Sequence, residues 1–361
     1  DGPNNDGLSG MGSSSLSITV GATDDQNTIL REDDTIASYS SRGPRKDNGD
    51  NNPYDELKPE VTTSGTNIIQ AEACVTDGGC NNFIGGDASQ NGYTGRGSGT
   101  SYATPVVSGV VALMLEANPD LDPLLVKDIL KNTAERKGEP TYPEIDPYWN
   151  RDFGWGSIDA YEAVKLSKYL FDSNISSDEI SLSLQTHADT FEQNESTRKA
   201  SIFGKAWAQQ GTISSVVYSI DGSEWFEATY ENEELISAGQ AFNWSIHIDT
   251  SNLGEGNHTI EIRSYSDEND LHSVPLVFSI TGYGDGIQNT GSGGVFVVAT
   301  IGTLLGIAAI TFVFLTQPKA VQFQSGSDEE VLLEAELVES KIEPQITRVP
   351  EDDNKSEKVS D

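Results

Sequence analysis

Gly97-Ser98-Gly99-Thr100-Ser101-Tyr102-Ala103-Thr104-Pro105 decides how the rest of this chain is read. It sets a serine among small residues, directly ahead of an apolar run through Val106, Val107, Gly109, Val110, Val111, Leu113 and Met114. That run predicts a helix over Tyr102–Ala117. A serine attacks a carbonyl only when its hydroxyl is presented on a tight turn and a nearby base takes its proton. The turn is present. The base is not, because residues 1–186 contain no histidine. Taken alone, Ser101 reads as a helix N-cap, a position serine favours. A lipase-type G-x-S-x-G elbow is excluded, since Ala103 stands where the second glycine belongs.

Working outward, Ser17–Ala22 and Lys58–Ile69 read as buried strands, and Pro123–Ala134 and Ser157–Lys168 as further helices. Strand–helix alternation of this kind indicates an α/β layer fold over residues 1–168. Residues 179–281 change character and alternate apolar and polar positions in short runs. Seven strands are expected there: Ile180–Gln185, Ala200–Ala208, Ser214–Ile220, Trp225–Tyr230, Phe242–Ile248, His258–Ser264 and Leu276–Ile280. The turns Asp221-Gly222 and Gly254-Glu255-Gly256-Asn257 separate some of them. The pattern predicts an antiparallel β-sandwich of the immunoglobulin or fibronectin kind. All four histidines, His187, His247, His258 and His272, fall in this region without metal-like spacing. They read as ordinary sheet residues.

A Gly-rich linker, 282–294, leads to an uncharged apolar run over 295–315. A run of that length spans roughly 30 Å as a helix, enough for the hydrocarbon core of a bilayer. One transmembrane helix is therefore expected. Lys319 follows the run, and no Lys or Arg precedes it closer than Arg263. This places residues 316–361, an acidic stretch, on the cytoplasmic side as a disordered tail. The remainder would then be extracellular and the chain a single-pass membrane protein. The sequons at Asn174, Asn194, Asn243 and Asn257 all fall on that external side and are candidate glycosylation sites. Cys74 and Cys80, five residues apart across a turn-rich stretch, suit a small disulfide in that compartment; two free thiols are the alternative.

The formal charge is −35, from 57 acidic and 22 basic residues. Nucleic acid is excluded as a partner, because phosphate contacts need clustered Lys and Arg. No metal site is assigned. Asp47-Asn48-Gly49-Asp50-Asn51-Asn52 is the best stretch for calcium, with a solvated turn as the plainer reading.

Five segments together resemble one family. Gly99-Thr100-Ser101-Tyr102-Ala103-Thr104-Pro105 is similar to the G-T-S-x-A-x-P signature of subtilases, the subtilisin-like serine peptidases. Ile18-Thr19-Val20-Gly21-Ala22 resembles their core strand, and Ser38–Pro44 their S-x-S-S-x-G-P turn. Lys58-Pro59-Glu60-Val61 with Ser64-Gly65-Thr66 resembles their K-P-D-V strand and turn. Gly154-Trp155-Gly156-Ser157-Ile158-Asp159-Ala160 resembles the entry to their last helix. The resemblance implies that residues 1–168 are the second half of a subtilisin-like peptidase domain. It implies Ser101 as nucleophile, Thr100 as oxyanion support, and Gly99 and Gly12 as substrate-binding positions. It implies protein or peptide substrates and no cofactor. The family's D-[ST]-G and H-G-T-H segments and its oxyanion Asn are not in the chain, which places them before residue 1 and predicts that residues 1–361 alone are inactive. The expected function is a membrane-anchored extracellular serine endopeptidase. A non-catalytic surface-binding protein that keeps the subtilase fold is the alternative.

Overall fold

The computed structural model describes residues 2, 8, 10–71, 93–231, 240–266 and 269–284. Cys74, Cys80, the apolar run 295–315, the acidic tail and most of the linker lie outside these residues.

The first region builds a small sheet and three helices. Strand β1 (Val20–Asp24) pairs in parallel with β3 (Val61–Ser64), Val20 opposite Val61, and antiparallel with the short β2 (Thr35–Ile36). The predicted strand over Lys58–Ile69 is in fact two. Ser64 and Gly65 end β3, and the chain restarts as β4 (Ile68–Ala71), which pairs with β5 (Tyr93–Gly97). Residues 155–158 lie along β3 on the side away from β1. Trp155 donates to the Glu60 carbonyl at 2.8 Å and Ile158 to that of Thr62 at 2.8 Å. The glycines of this stretch have a steric cause. A Cβ on Gly154 would sit 2.4 Å from the Glu60 carbonyl oxygen, and one on Gly156 would sit 2.1 Å from that of Glu135.

Helix α1 runs Thr100–Ala117, α2 Pro123–Thr133 and α3 Ala160–Asp172. Asp122 caps α2 by accepting from Leu124 and Leu125, with Pro123 at the first helical position, and Asp159 caps α3 by accepting from Glu162. The cap explains why α3 begins at Ala160 rather than at Ser157. Ser157 and Ile158 are held beside β3 instead. Val107, Val110 and Met114 of α1 are buried with Leu125 and Ile129 of α2 and Leu166 and Leu170 of α3. The i, i+3, i+7 spacing on α1 puts one stripe against this core.

The second region consists of two antiparallel sheets. In one the order is β10 (Thr229–Tyr230), β11 (Phe242–Asp249), β7 (Lys199–Ala208), β6 (Leu184–Asn194). In the other, β12 (Gly256–Ser266) lies between β8 (Ser215–Ile220) and the successive strands β13 (Asn269–His272) and β14 (Leu276–Gly282). β9 (Phe226–Glu227) flanks β8. Alternation places Ile202, Trp244, Ile246, Ile260 and Ile262 in one apolar core with residues of both sheets. The predicted strand at Trp225–Tyr230 is split into β9 and β10, which belong to different sheets. The first predicted strand begins four residues late and runs on to Asn194, because Ile180 makes only an isolated bridge to His272.

The two regions are in contact. Ile180 and Val274 are buried in the helical core. Tyr169 of α3 donates to Glu261 of β12 at 2.6 Å, and Arg136 beyond α2 lies 2.5 Å from Nδ1 of His187 on β6.

Candidate active site

Ser101 is the second residue of α1, and its side chain is exposed. Gly99 is the N-cap and makes no side-chain cap. Ser101 is therefore not serving as the helix cap, the plainest structural role for a serine at this point. The N–H groups of the first helical turn have no carbonyl partner within the helix. That of Ser101 is one of them, and the positive end of the helix dipole lies there too. A developing oxyanion at Ser101 would meet both. Thr100, half-buried, opens the helix, and its carbonyl accepts the hydroxyl of Thr104 at 2.9 Å. Pro105 falls in the second turn of α1. Its missing N–H leaves the Ser101 carbonyl without its helical donor.

The helix start is fixed to the sheet through backbone. Gly99 donates to the Gly65 carbonyl at 2.9 Å, and that carbonyl also accepts the Tyr39 hydroxyl at 2.7 Å. A Cβ on Gly65 would come within 2.8 Å of the Ala22 Cβ and 2.9 Å of the Gly99 carbonyl oxygen. Only glycine lets the end of β3 approach the start of α1 this closely. Ser98 accepts the Asn67 N–H at 2.9 Å and closes the other side. Gly99, Thr100 and Ser101 thus sit together on a scaffold made by β1, β3 and Tyr39.

Gly12 belongs to a separate loop ahead of β1. Its carbonyl accepts the Thr19 hydroxyl. Three cations hold the carbonyls that follow: Arg45 at Ser13 (3.1 Å), Lys127 at Ser15 (2.8 Å) and Lys58 at Ser17 (2.8 Å). Glu60, buried behind the loop, pairs with both lysines and accepts the Thr19 N–H at 2.7 Å. Burial and the neighbouring Lys127 push the Lys58 ammonium down to about 8, against the opposing pull of Glu60. Sequence reading missed this network. The signal was the Lys-Pro-Glu order at 58–60, which alternation aims at one side of the chain.

No described histidine serves Ser101. His187 lies against Arg136, His247 against Ser201, His258 against Asp221, and His272 against the Ser273 carbonyl. All four are on β6, β11, β12 and β13. Burial, with the Arg136 charge beside it, holds His187 well below the ordinary imidazole value. Among the described residues, the group of carboxylates that comes together is Asp50, Asp55 and Glu56, with one oxygen each within 4.8 Å of the others. Arg45 already pairs with Asp55 at 2.7 Å and Glu56 at 3.3 Å. The Asp47–Asn52 stretch is a chain of side-chain turns, Asp47 accepting from Gly49 at 2.6 Å and Asn48 from Asp50 at 2.9 Å.

Gly109 does not pack closely against a neighbour, as helical glycine would suggest. Apart from the helix's own backbone, no described atom lies within 4 Å of where its Cβ would be. It belongs to an uncovered face of α1 with Val106, 42% exposed, and Leu113, 51% exposed. This helix is also long and apolar enough to cross a membrane by length and composition. The hydrogen bond from its N-cap Gly99 to Gly65 and its buried stripe place it in the helical layer.

The Gly99–Ser101 turn, the parallel β1–β3 pair and the glycine-shaped entry to α3 all lie in the first region of the chain. Residues 1–156 match the model of the subtilase family. The chain is 36% identical over 167 residues to serine protease AprX of Bacillus subtilis (strain 168), a match covering 45% of this chain and 33% of AprX. It is 32% identical over 148 residues to bacillopeptidase F of the same organism, covering 41% of the chain and 8% of that protein. It is 36% identical over 139 residues to subtilisin-like protease SBT3.10 of Arabidopsis thaliana, covering 36% of the chain and 16% of the relative. The matched part thus spans a third or less of each of these relatives.

Proposed function

We propose that this chain is part of a membrane-anchored extracellular serine endopeptidase of the subtilisin type, with Ser101 as nucleophile. The observation that carries the reading is the placement of Ser101. Ser101 is exposed as the second residue of α1, its N–H lies in the first helical turn, and a backbone bond from Gly99 to Gly65 holds the turn in place. Ser101 would attack the scissile carbonyl to form an acyl-enzyme, which water then hydrolyses. Its own N–H would be one oxyanion donor, with Thr100 supporting that pocket and Gly99 and Gly12 bordering the bound peptide. Acyl transfer of this kind needs no cofactor.

The base and the acid that orients it would come from residues preceding residue 1. The absence of a described histidine on any element that holds Ser101 supports this, as does the uncovered apolar face of α1, which a further layer would cover. The two antiparallel sheets, proposed as a β-sandwich over 179–281, would hold the peptidase part away from the bilayer, anchored by 295–315 with an acidic cytoplasmic tail. Asn174, Asn194, Asn243 and Asn257 are all exposed, as glycosylation would require. The test is cleavage of a quenched fluorescent peptide library by the full-length gene product. Cleavage that Ser101→Ala abolishes is expected. Cleavage retained in Ser101→Ala overturns the assignment.

A further inference from the structure

Where β6 and β14 part, against α2 and α3, the chain leaves a cleft of about 360 Å³. β14 is an edge strand: it pairs with β12, and no described strand pairs with its other side. The chain's own groups already occupy both ends of that free edge. Just upstream, Ser181 donates to the His272 carbonyl at 2.8 Å. Downstream, the Gln193 side-chain amide donates to the Thr281 carbonyl at 2.6 Å and accepts the Thr281 N–H at 3.1 Å. These are the two bonds a neighbouring strand would make. In an antiparallel strand every second residue turns its N–H and C=O the same way. Val277 and Ser279 therefore present theirs on the same open side as Thr281. An uncovered window remains at 275–279, directly on the cleft.

The chemistry of the cleft is lopsided. Leu166, Phe191, Leu276 and Phe278 line it with apolar surface, and Arg136 supplies a cation. Arg136 donates to the Trp155 carbonyl and faces the His187 ring, and no described carboxylate is within ion-pair distance of it. The two carboxylates that line the cleft are engaged elsewhere. Glu162 takes Lys165 at 3.0 Å, and Asp189 takes the Tyr148 hydroxyl at 2.6 Å and Lys205 at 3.1 Å. A guanidinium without an anionic partner in a partly desolvated site favours a carboxylate ligand.

We propose that this window is a docking site for an extended acidic peptide, which adds to β14 as a strand and sets a carboxylate on Arg136. Main-chain bonds to Val277 and Ser279 give affinity, and the apolar walls and Arg136 give selectivity. The site is separate from Ser101 and does not depend on its chemistry.

The experiment is fluorescence anisotropy on the intact protein carrying Ser101→Ala, with a labelled acetyl-Thr-Val-Thr-Val-Glu peptide and its Gln counterpart as amide. Val277→Pro removes the outward N–H without disturbing the pairing to β12, since edge strands tolerate proline there. Saturable binding of the acidic peptide is expected, about ten-fold tighter than the neutral one and about ten-fold weaker in Val277→Pro with an unchanged melting temperature. Arg136→Met should abolish the preference for the acidic peptide. If that variant unfolds, the Val277→Pro arm decides. Equal binding by Val277→Pro and the parent, equal binding of the two peptides, or no saturable binding would each overturn the proposal.

Discussion

The two regions differ in how completely their cores are covered. In the paired sheets Trp244 is 1% exposed and Ile260 0%, and the strands of both sheets close over them. In the helical region Met114 is equally buried, yet on another face of the same helix the adjacent Leu113 is 51% exposed and Val106 42%. A helix that is apolar on every side belongs in an interior. The paired sheets hold a complete core of their own, whereas α1 has a partner on one face only. The lesson is local. The sheets answer to their own alternation, and α1 answers in part to surface that the described residues do not supply.

The largest effect expected from breaking this arrangement is chemical. Ser101→Ala should lower peptide hydrolysis by the full-length protein by several orders of magnitude, up to about 10⁶, read as initial rates. Folding should be untouched, because Ser101 is exposed. In the covered region, Trp244→Ala should destabilise by about 3–5 kcal/mol, measured by denaturant unfolding of the isolated chain.

Leu113→Ala sharpens the contrast directly. On residues 1–361 it should change stability by no more than about 0.5 kcal/mol. In the full-length protein the same change should cost about 2–5 kcal/mol. Equal small effects in both would mean that nothing covers this face. Asp122→Ala removes the cap of α2 and should cost about 1 kcal/mol, in either form of the protein.

The smallest effect is a pH dependence in the sheets. His258 of β12 donates to Asp221 in the turn that follows β8, and this bond raises the imidazole and lowers the carboxyl from their ordinary values. The histidine's contribution is full below its unfolded value of 6.5 and is lost as pH rises through its raised folded value. The aspartate's contribution is present above 3.8 and is lost as pH falls through its lowered folded value. The pair should therefore be strongest between those limits. Histidine NMR titration of the parent and Asp221→Asn should show the His258 midpoint fall in the variant. His187 behaves oppositely. Kept neutral beside Arg136, it should weaken the contact between the two regions as pH drops below 6.5.

Much of this was legible in the residues. Short alternating runs placed most of the sheet strands, because alternation reports directly which side is buried. The turn ahead of α1 was readable because glycines stand where two stretches of backbone come close, such as Gly65 against the Gly99 carbonyl. The start of α3 was misplaced because the backbone at Ser157 has a tertiary use beside β3 that periodicity does not encode. β13 went unread because Asn269-Asp270-Leu271-His272 carries no apolar alternation. The Lys58–Glu60–Lys127 network escaped because it joins residues distant in sequence, and charge patterns report only local neighbours.

The central claim is that Ser101 is a nucleophile whose activation comes from residues before residue 1. The most direct measurement is labelling with a serine-directed fluorophosphonate, run side by side on residues 1–361 and on the full-length protein, with Ser101→Ala as the control. Fast, Ser101-dependent labelling of the full-length protein and none of the shorter chain is the result this account predicts. Equal labelling of both, or labelling of neither, would contradict it.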